Sequence, residues 1–104
     1  MSDSTIEIGS VHLEGVIKLH SQSEAPITEE EHAHIYGASL SGSTHVYVQD
    51  SDGNQTKISP HNEQGEWEYY CRNTKTGKHI KINMEKMIRK LEEITGESFI
   101  EIIE

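Results

Sequence analysis

His45-Val46-Tyr47-Val48-Gln49 is the stretch that decides the fold, because it alternates in polarity and is rich in β-branched and aromatic residues. After a short gap, Gln55-Thr56-Lys57-Ile58-Ser59 can pair back against it as a second strand. Between the two lies Asp52-Gly53, a pair that tolerates the positive φ angles of a tight turn. The sequence therefore predicts a β-hairpin over residues 45–59.

A second hairpin is predicted further along the chain. Its strands run from Trp67 to Cys71 and from His79 to Ile82, and the Asn, Thr and Gly residues of 73–77 suit a chain reversal. Side chains two positions apart on a strand point to the same face. We therefore expect the odd positions Trp67, Tyr69 and Cys71 to face inward.

Apolar residues spaced three and four apart predict one amphipathic helix near the C-terminus, with Asn83 as its N-cap and Gly96 just after its end. Two alternatives exist for its apolar stripe. The stripe packs on the hairpins of the same chain, or it fills the a and d positions of a short bundle with other copies. Two heptads are too few to decide, and length alone slightly favours the first alternative. The candidate interface residues are Met84, Met87, Leu91 and Ile94.

The ends of the chain differ from its middle. Short apolar bursts between residues 6 and 19 predict either short strands or an extended arm, and the apolar tail 98–104 predicts a final strand. The stretch 21–34 is polar and acidic. We thus expect an attachment arm over 1–20, a polar linker over 21–34 and a hairpin and helix domain over 35–104. The fold class is α+β, mainly β, with one amphipathic helix and a final strand.

The composition predicts a core that is shared between chains. The chain has 104 residues, of which 33% are hydrophobic, with a single Phe and a single Trp. Such a small chain has little apolar material for a core of its own, and most catalytic folds are larger. Its net charge of −9 would repel nucleic acid. We therefore expect an oligomeric protein that is not an enzyme and does not bind DNA or RNA.

The single cysteine, Cys71, has no partner for an intramolecular disulfide, which is typical of assembly in a reducing cytoplasm. The start of the chain lacks the basic and apolar segments of a signal peptide. No apolar run approaches the roughly 20 residues of a membrane span. We expect a soluble protein without a secretion signal and without membrane contact.

Few residue patterns point to bound groups or catalysis. In an extended segment, the rings of His32 and His34 would lie on one side, and a threefold axis would multiply them into a metal site. Exposed histidines are the favoured interpretation, and metal binding stays open. Cys71 alternates with aromatic residues, which favours a buried structural thiol over a nucleophile. We predict no catalytic residues and no cofactor.

Three neighbouring aromatic side chains, Trp67, Tyr69 and Tyr70, form a candidate platform for sugars. Aromatic residues on a strand more often pack within the sheet. A carbohydrate- or cell-surface-binding module is therefore the alternative function that the sequence offers.

Several short motifs occur in a fixed order. They are Ile35-Tyr36-Gly37, His45-Val46-Tyr47-Val48-Gln49-Asp50, Asp52-Gly53-Asn54 and Thr56-Lys57-Ile58-Ser59, followed by Gly65-Glu66-Trp67, Asn73-Thr74-Lys75-Thr76-Gly77-Lys78 and Leu91-Glu92-Glu93-Ile94-Thr95-Gly96. This order is similar to modules of tailed-bacteriophage fibre and appendage proteins, in which a short strand ending in Tyr precedes a strand, a turn with Gly-Asn and a further strand. The likeness covers roughly residues 15–100 and rests on short strands and turns.

The resemblance implies a virion structural protein that forms a homotrimer, with strands of three chains around one axis. It implies localisation in the virion after synthesis in the host cytoplasm, contact of the arm with other virion proteins, and host surface glycans as a further partner. Only residues 1–14 precede the similar part. A short head or tail fibre or a capsid decoration component is therefore expected, rather than a complete receptor-binding tail fibre.

Overall fold

A computed structural model describes residues 5–40 and 42–103. It contains one sheet of six strands in the order β1-β2-β3-β4-β5-β6, followed by one helix. The elements are β1 (Ser21–Gln22), β2 (His34–Leu40), β3 (Ser43–Gln49), β4 (Gln55–Lys57), β5 (Glu68–Arg72), β6 (His79–Asn83) and α1 (Met84–Thr95). All neighbouring strands are antiparallel except β1, which pairs with β2 in parallel. The fold is α+β and mainly β, as predicted.

The predicted hairpin at 45–59 is confirmed as β3 and β4, where Tyr47 lies opposite Lys57. The Asp50 carboxylate accepts hydrogen bonds from the backbone amides of Asp52 and Asn54 at 3.0 and 2.9 Å. Gly53 has a φ of 91°, a left-handed conformation that residues with a Cβ rarely adopt. The side chain of Asp50 and the freedom of Gly53 together fix this turn.

The second hairpin and the helix are confirmed as well. β5 and β6 pair with Tyr69 opposite Ile82. The Asn83 side chain accepts a hydrogen bond from the Lys86 amide at 2.9 Å, as an N-cap does. Gly96 ends the helix with a φ of 75°, and its amide donates to the Glu92 carbonyl.

One face of the sheet, the tyrosine face, carries most of the buried side chains. Since residues paired across strands share a face, the side chains that the register of the sheet places here include Tyr36, Tyr47, Gln49, Lys57, Glu68 and Tyr70. The rings of Tyr36 and Tyr47 stack at 5.6 Å, and the Tyr70 ring meets Tyr47 edge-on at 6.2 Å. Burial raises the pKa of Tyr36 to about 12.

Two loops cover the tyrosine face. The side-chain nitrogen of Gln49, Nε2, donates to the Pro26 carbonyl at 3.0 Å, and this hydrogen bond holds the loop before β2 against the sheet. The Lys57 ammonium donates to the His61 carbonyl at 2.8 Å and to the Glu68 carboxylate at 2.9 Å. The Lys57 side chain is 0% exposed, so the core contains a desolvated ion pair within hydrogen-bonding distance.

The predicted inward orientation of Trp67, Tyr69 and Cys71 is wrong. Trp67 and Tyr69 are exposed and Cys71 is half-buried, whereas Glu68, between the two aromatic residues, is only 8% exposed. The ion pair explains the orientation, because the buried Lys57 ammonium takes the Glu68 carboxylate as its counter-charge. Strand β5 therefore turns its even-numbered residues toward the core.

The two ends of the chain have little regular structure. Between residues 5 and 20 there is no strand, so the alternative of short strands is wrong there. An arm over 1–20 stays a prediction. Ser21 and Gln22, at the start of the predicted polar linker, form the edge strand β1. The predicted final strand is wrong for the described part of 98–104. The backbone amides of Phe99 and Ile100 donate instead to the Glu92 carboxylate, at 2.8 and 3.1 Å.

The folded chain is open for its size. Its accessible surface is 8525 Å², whereas a compact monomer of 11.8 kDa exposes about 5,900 Å². Its radius of gyration is 16.9 Å, against about 13 Å for a compact domain of this length. Tyr36 and Tyr47 are the only hydrophobic side chains buried among the residues that the structure describes. One chain thus encloses very little apolar surface.

Candidate functional site

The candidate site is the outer side of the sheet, opposite the tyrosine face, which we call the apolar face. Strand register places eight apolar or aromatic side chains on it: Ile35, Val46, Val48, Ile58, Trp67, Tyr69, Ile80 and Ile82. Ile35 is 66% exposed, and Trp67 and Ile80 are 44% and 45% exposed. Val46 and Val48 are half-buried, and the other six side chains are exposed. Soluble monomers rarely expose that many apolar side chains together, and such patches mark interaction surfaces.

The helix adds a second exposed apolar stripe. Met84 is half-buried, while Met87, Leu91 and Ile94 are 44%, 42% and 71% exposed. The hairpins of the same chain therefore leave most of the stripe uncovered, which favours the alternative of packing against other copies. The role of these four residues at a subunit interface stays a prediction.

The helix stripe begins beside the apolar face. The backbone amides of Met84 and Glu85 donate to the Trp67 carbonyl at 3.0 and 3.2 Å. Trp67 is therefore the residue that links the sheet surface to the start of the helix.

The candidate sugar platform is divided between the two faces of the sheet. Trp67 and Tyr69 lie together on the apolar face, and the Cys71 side chain raises the pKa of Tyr69 through a hydrogen bond. Tyr70 lies on the tyrosine face, where its hydroxyl is 2.6 Å from Nδ1 of His79. A flat ligand could stack on Trp67 and Tyr69, but not on all three rings.

The two candidate metal ligands, His32 and His34, have different partners. Nε2 of His32 lies 3.0 Å from the Glu7 carboxylate, and Nδ1 of His32 lies 2.8 Å from the Glu30 carbonyl. Nδ1 of His34 lies 3.0 Å from the Gln49 side-chain oxygen. Over 5–40 and 42–103, no three His, Cys, Asp or Glu side chains are grouped so as to hold a metal ion. Metal binding by His32 and His34 on a symmetry axis stays a hypothesis.

The contact between Glu7 and His32 makes a testable prediction about the arm. The hydrogen bond that His32 donates to the Glu7 carboxylate, followed by that with the Glu30 carbonyl, raises the pKa of His32 above its ordinary value of 6.5. A raised pKa means that the contact stabilises the arm at low pH and is lost as the pH rises through the pKa of His32. In an NMR titration, Glu7→Gln should lower the pKa of His32 toward its ordinary value, with Glu14→Gln as the unaffected control. An unchanged pKa would contradict the contact.

Two clefts on the surface are small. One has a volume of about 180 Å³ and is lined by Asn62, Glu63, Gln64, Glu68 and Lys81. The other, about 120 Å³, lies between residues 5–8 of the arm and the region of His32. Typical small-molecule sites occupy at least roughly 300 Å³. These two clefts are smaller than such sites.

In comparisons with known proteins, no family model matches the chain, and neither does any curated protein or solved structure. Within the described part of the chain, no helix has the length and apolar character that crossing a bilayer requires.

Sequence reasoning identified the helix stripe but missed the apolar face. In Val46-Tyr47-Val48 and Ile80-Lys81-Ile82 the aliphatic residues occupy every second position, and this alternation indicates that each strand has one aliphatic face. The usual assumption assigns the more apolar side of a strand to the interior. In this chain the covered side holds Tyr47 and Lys57, so the more aliphatic side is left outward.

Proposed function

We propose that the chain is a non-enzymatic structural protein of a tailed-bacteriophage virion, a short head or tail fibre or a capsid decoration component. It works as a closed homo-oligomer, and the resemblance implies that this oligomer is a trimer. The N-terminal arm attaches the oligomer to the particle. The observation that carries this proposal is the exposed apolar face, together with the uncovered helix stripe.

The exposed area matches what a permanent assembly would bury. The surface of the chain exceeds that of a compact monomer by roughly 2,600 Å². Permanent interfaces bury roughly 2,000–5,000 Å² and resemble a protein core cut in half. Burying Trp67, Ile80, Ile82 and Leu91 between copies would supply the core that one chain lacks. The net charge of −9 keeps unassembled copies apart until they meet in the right orientation.

The test measures the mass of the purified chain by light scattering while the emission of Trp67, the single tryptophan, is followed on dilution. We expect a mass near three times 11.8 kDa and an emission that shifts to longer wavelength as dilution exposes Trp67. A mass of one chain at all concentrations, with the emission of an exposed indole throughout, would overturn the oligomer proposal.

A carbohydrate- or cell-surface-binding module is the second candidate, favoured by the exposed pair of Trp67 and Tyr69 on one face. In that case the emission of Trp67 responds to added glycans instead of to dilution. The response is lost in Tyr69→Ala, which removes the ring beside Trp67, and is kept in Tyr70→Ala, since Tyr70 lies on the opposite face.

A further inference from the structure

Charge is distributed very unevenly along the chain. Seven of its nine basic residues lie between residues 72 and 90, where Glu85 is the one acidic residue, so this segment has a net charge of +6. Residues 1–31 hold seven acidic residues and one lysine, a net charge of −6. The basic residues are Arg72, Lys75, Lys78, Lys81, Lys86, Arg89 and Lys90. Two segments of opposite charge within one chain favour contact between them.

The basic segment includes a strand with an open edge. β6 is the last strand in the order of the sheet and pairs with β5 on one side; its other side has no strand partner in the described residues. Such an edge presents unpaired backbone groups to an added strand. Ile80 and Ile82 lie on the apolar face, 45% and 38% exposed, and Lys81 points to the opposite side.

The acidic segment includes an arm that is suited to this edge. Residues 5–20 are exposed, and their backbone joins no strand. The side chain of Glu7 contacts His32 of the same chain, and this contact would be exchanged for one with another copy. Ile6-Glu7-Ile8 has the same alternation as Ile80-Lys81-Ile82, with a carboxylate in place of the ammonium.

The C-terminal end of the arm is held against the body of its own chain. The carbonyl oxygens of Leu19 and His20 lie so close to Gly37 that a Cβ added at this glycine would be 3.0 and 3.1 Å from them. Ser21 and Ser39 then join through their hydroxyls at 2.8 Å.

We propose that the arm of one copy adds as an extra strand to the β6 edge of a second copy, with Glu7 opposite Lys81. Ile6 and Ile8 then lie beside Ile80 and Ile82 and extend the apolar face. Parallel and antiparallel pairing both place these isoleucines side by side when Glu7 lies opposite Lys81, because each charged residue has an isoleucine before and after it. This inference rests on the proposed homo-oligomer, and it gives the arm a contact with a second copy in addition to the proposed contact with the particle.

The geometry of the sheet fits a head-to-tail assembly. The arm leaves the body at β1, and β6 is at the other edge, five strand spacings away or about 24 Å. An extended arm of residues 5–20 reaches up to roughly 50 Å. Joining the first edge of one copy to the last edge of the next is a heterologous contact, which forms a ring when the rotation closes.

A second segment has the same alternation, Ile100-Glu101-Ile102 in the C-terminal tail. The amides of Phe99 and Ile100 are already bound by the Glu92 carboxylate, which holds the start of this segment at its own helix. The arm has no such backbone restraint, and we therefore assign the edge to the arm.

The test is a charge exchange in the full-length chain, with the dissociation constant of the oligomer measured by light scattering on dilution. We expect Glu7→Lys and Lys81→Glu each to weaken association about tenfold, as loss of a close interfacial charge pair does. The variant with both changes should recover most of the loss. One control is His32→Ala, which removes the contacts of His32 with Glu7 and with the Glu30 carbonyl of its own chain and should not weaken association. The other is Lys90→Glu combined with Glu7→Lys, which should not restore association.

The outcomes separate the two proposals. If the parent chain is oligomeric but both single variants associate as tightly as the parent, the arm does not occupy the edge, while the proposed function stands. If Glu101→Lys weakens association and Lys81→Glu restores it, the tail is the occupant and the inference is overturned. A parent chain that is monomeric at every concentration would refute the homo-oligomer on which both rest.

Discussion

Glu68→Ala is expected to destabilise the folded chain by about 3–5 kcal/mol, the usual cost of leaving one partner of a buried ion pair alone. The Lys57 ammonium lies 2.9 Å from the Glu68 carboxylate, and the Lys57 side chain is 0% exposed. Without the carboxylate, Lys57 keeps the His61 carbonyl as its hydrogen-bond partner but has no counter-charge. Urea denaturation at one fixed protein concentration measures the loss.

Two control variants test the cause of this destabilisation. Lys57→Met combined with Glu68→Leu removes both charges and should recover most of the stability, because apolar residues of similar size often replace a buried pair without loss. Glu93→Ala removes the exposed pair of Lys90 and Glu93, at 3.3 Å, and should change the free energy of unfolding by at most about 1 kcal/mol. If Glu68→Ala were no more damaging than Glu93→Ala, the buried pair would not hold the core together.

Leu91→Asp is expected to convert the oligomer into single chains and to lower its thermal stability. Packing the helix stripe against another copy would bury the new carboxylate without a partner, which costs far more than the lost apolar contact. Leu91 is 42% exposed in the single chain, so the substitution should leave the fold of the monomer largely intact. Light scattering and a thermal melt measure the two effects, with circular dichroism as the check on folding.

Lys90→Asp is the matched control for Leu91→Asp. It introduces the same residue on the same helix, at a side chain that is 67% exposed. It should leave the oligomer assembled. An oligomer that keeps its mass and its melting temperature with Leu91→Asp would show that the helix stripe is not at the interface.

The elements that the sequence predicted well are those fixed by local chemistry. Asp50 and Gly53 form the turn of the first hairpin through contacts within five residues. Asn83 and Gly96 begin and end the helix in the same local way. Signals of this kind depend on a few neighbouring residues, so one sequence is enough to identify them.

The orientation of β5 required information from across the sheet. Aromatic residues occur at Trp67, Tyr69 and Tyr70, on both faces of one strand, so alternation alone favoured the wrong face. Lys57, whose buried ammonium pairs with Glu68, lies on another strand, and the register of β4 with β5 brings the two together. The pattern within a single strand contains no trace of that pairing.

The apolar tail and the apolar face were missed for a related reason. An apolar tail normally predicts a strand that packs on the domain, but the Glu92 carboxylate takes the amides at Phe99 and Ile100. Sequence patterns show which residues avoid water and leave open which chain covers them. The spacing of the apolar residues is enough to predict the helix stripe, but it does not show what the stripe packs against.

The strand order has a consequence for the speed of folding. Each strand of the sheet pairs with the strand next to it in the chain, so its backbone contacts join segments that are close in sequence. Sheets of this kind have low contact order and fold faster than those that bring distant segments together. Strands β2 to β6 can therefore pair one after another as hairpins within one chain. For the proposed homo-oligomer, assembly would then be the slow, concentration-dependent step, and its rate would rise with the concentration of folded chains.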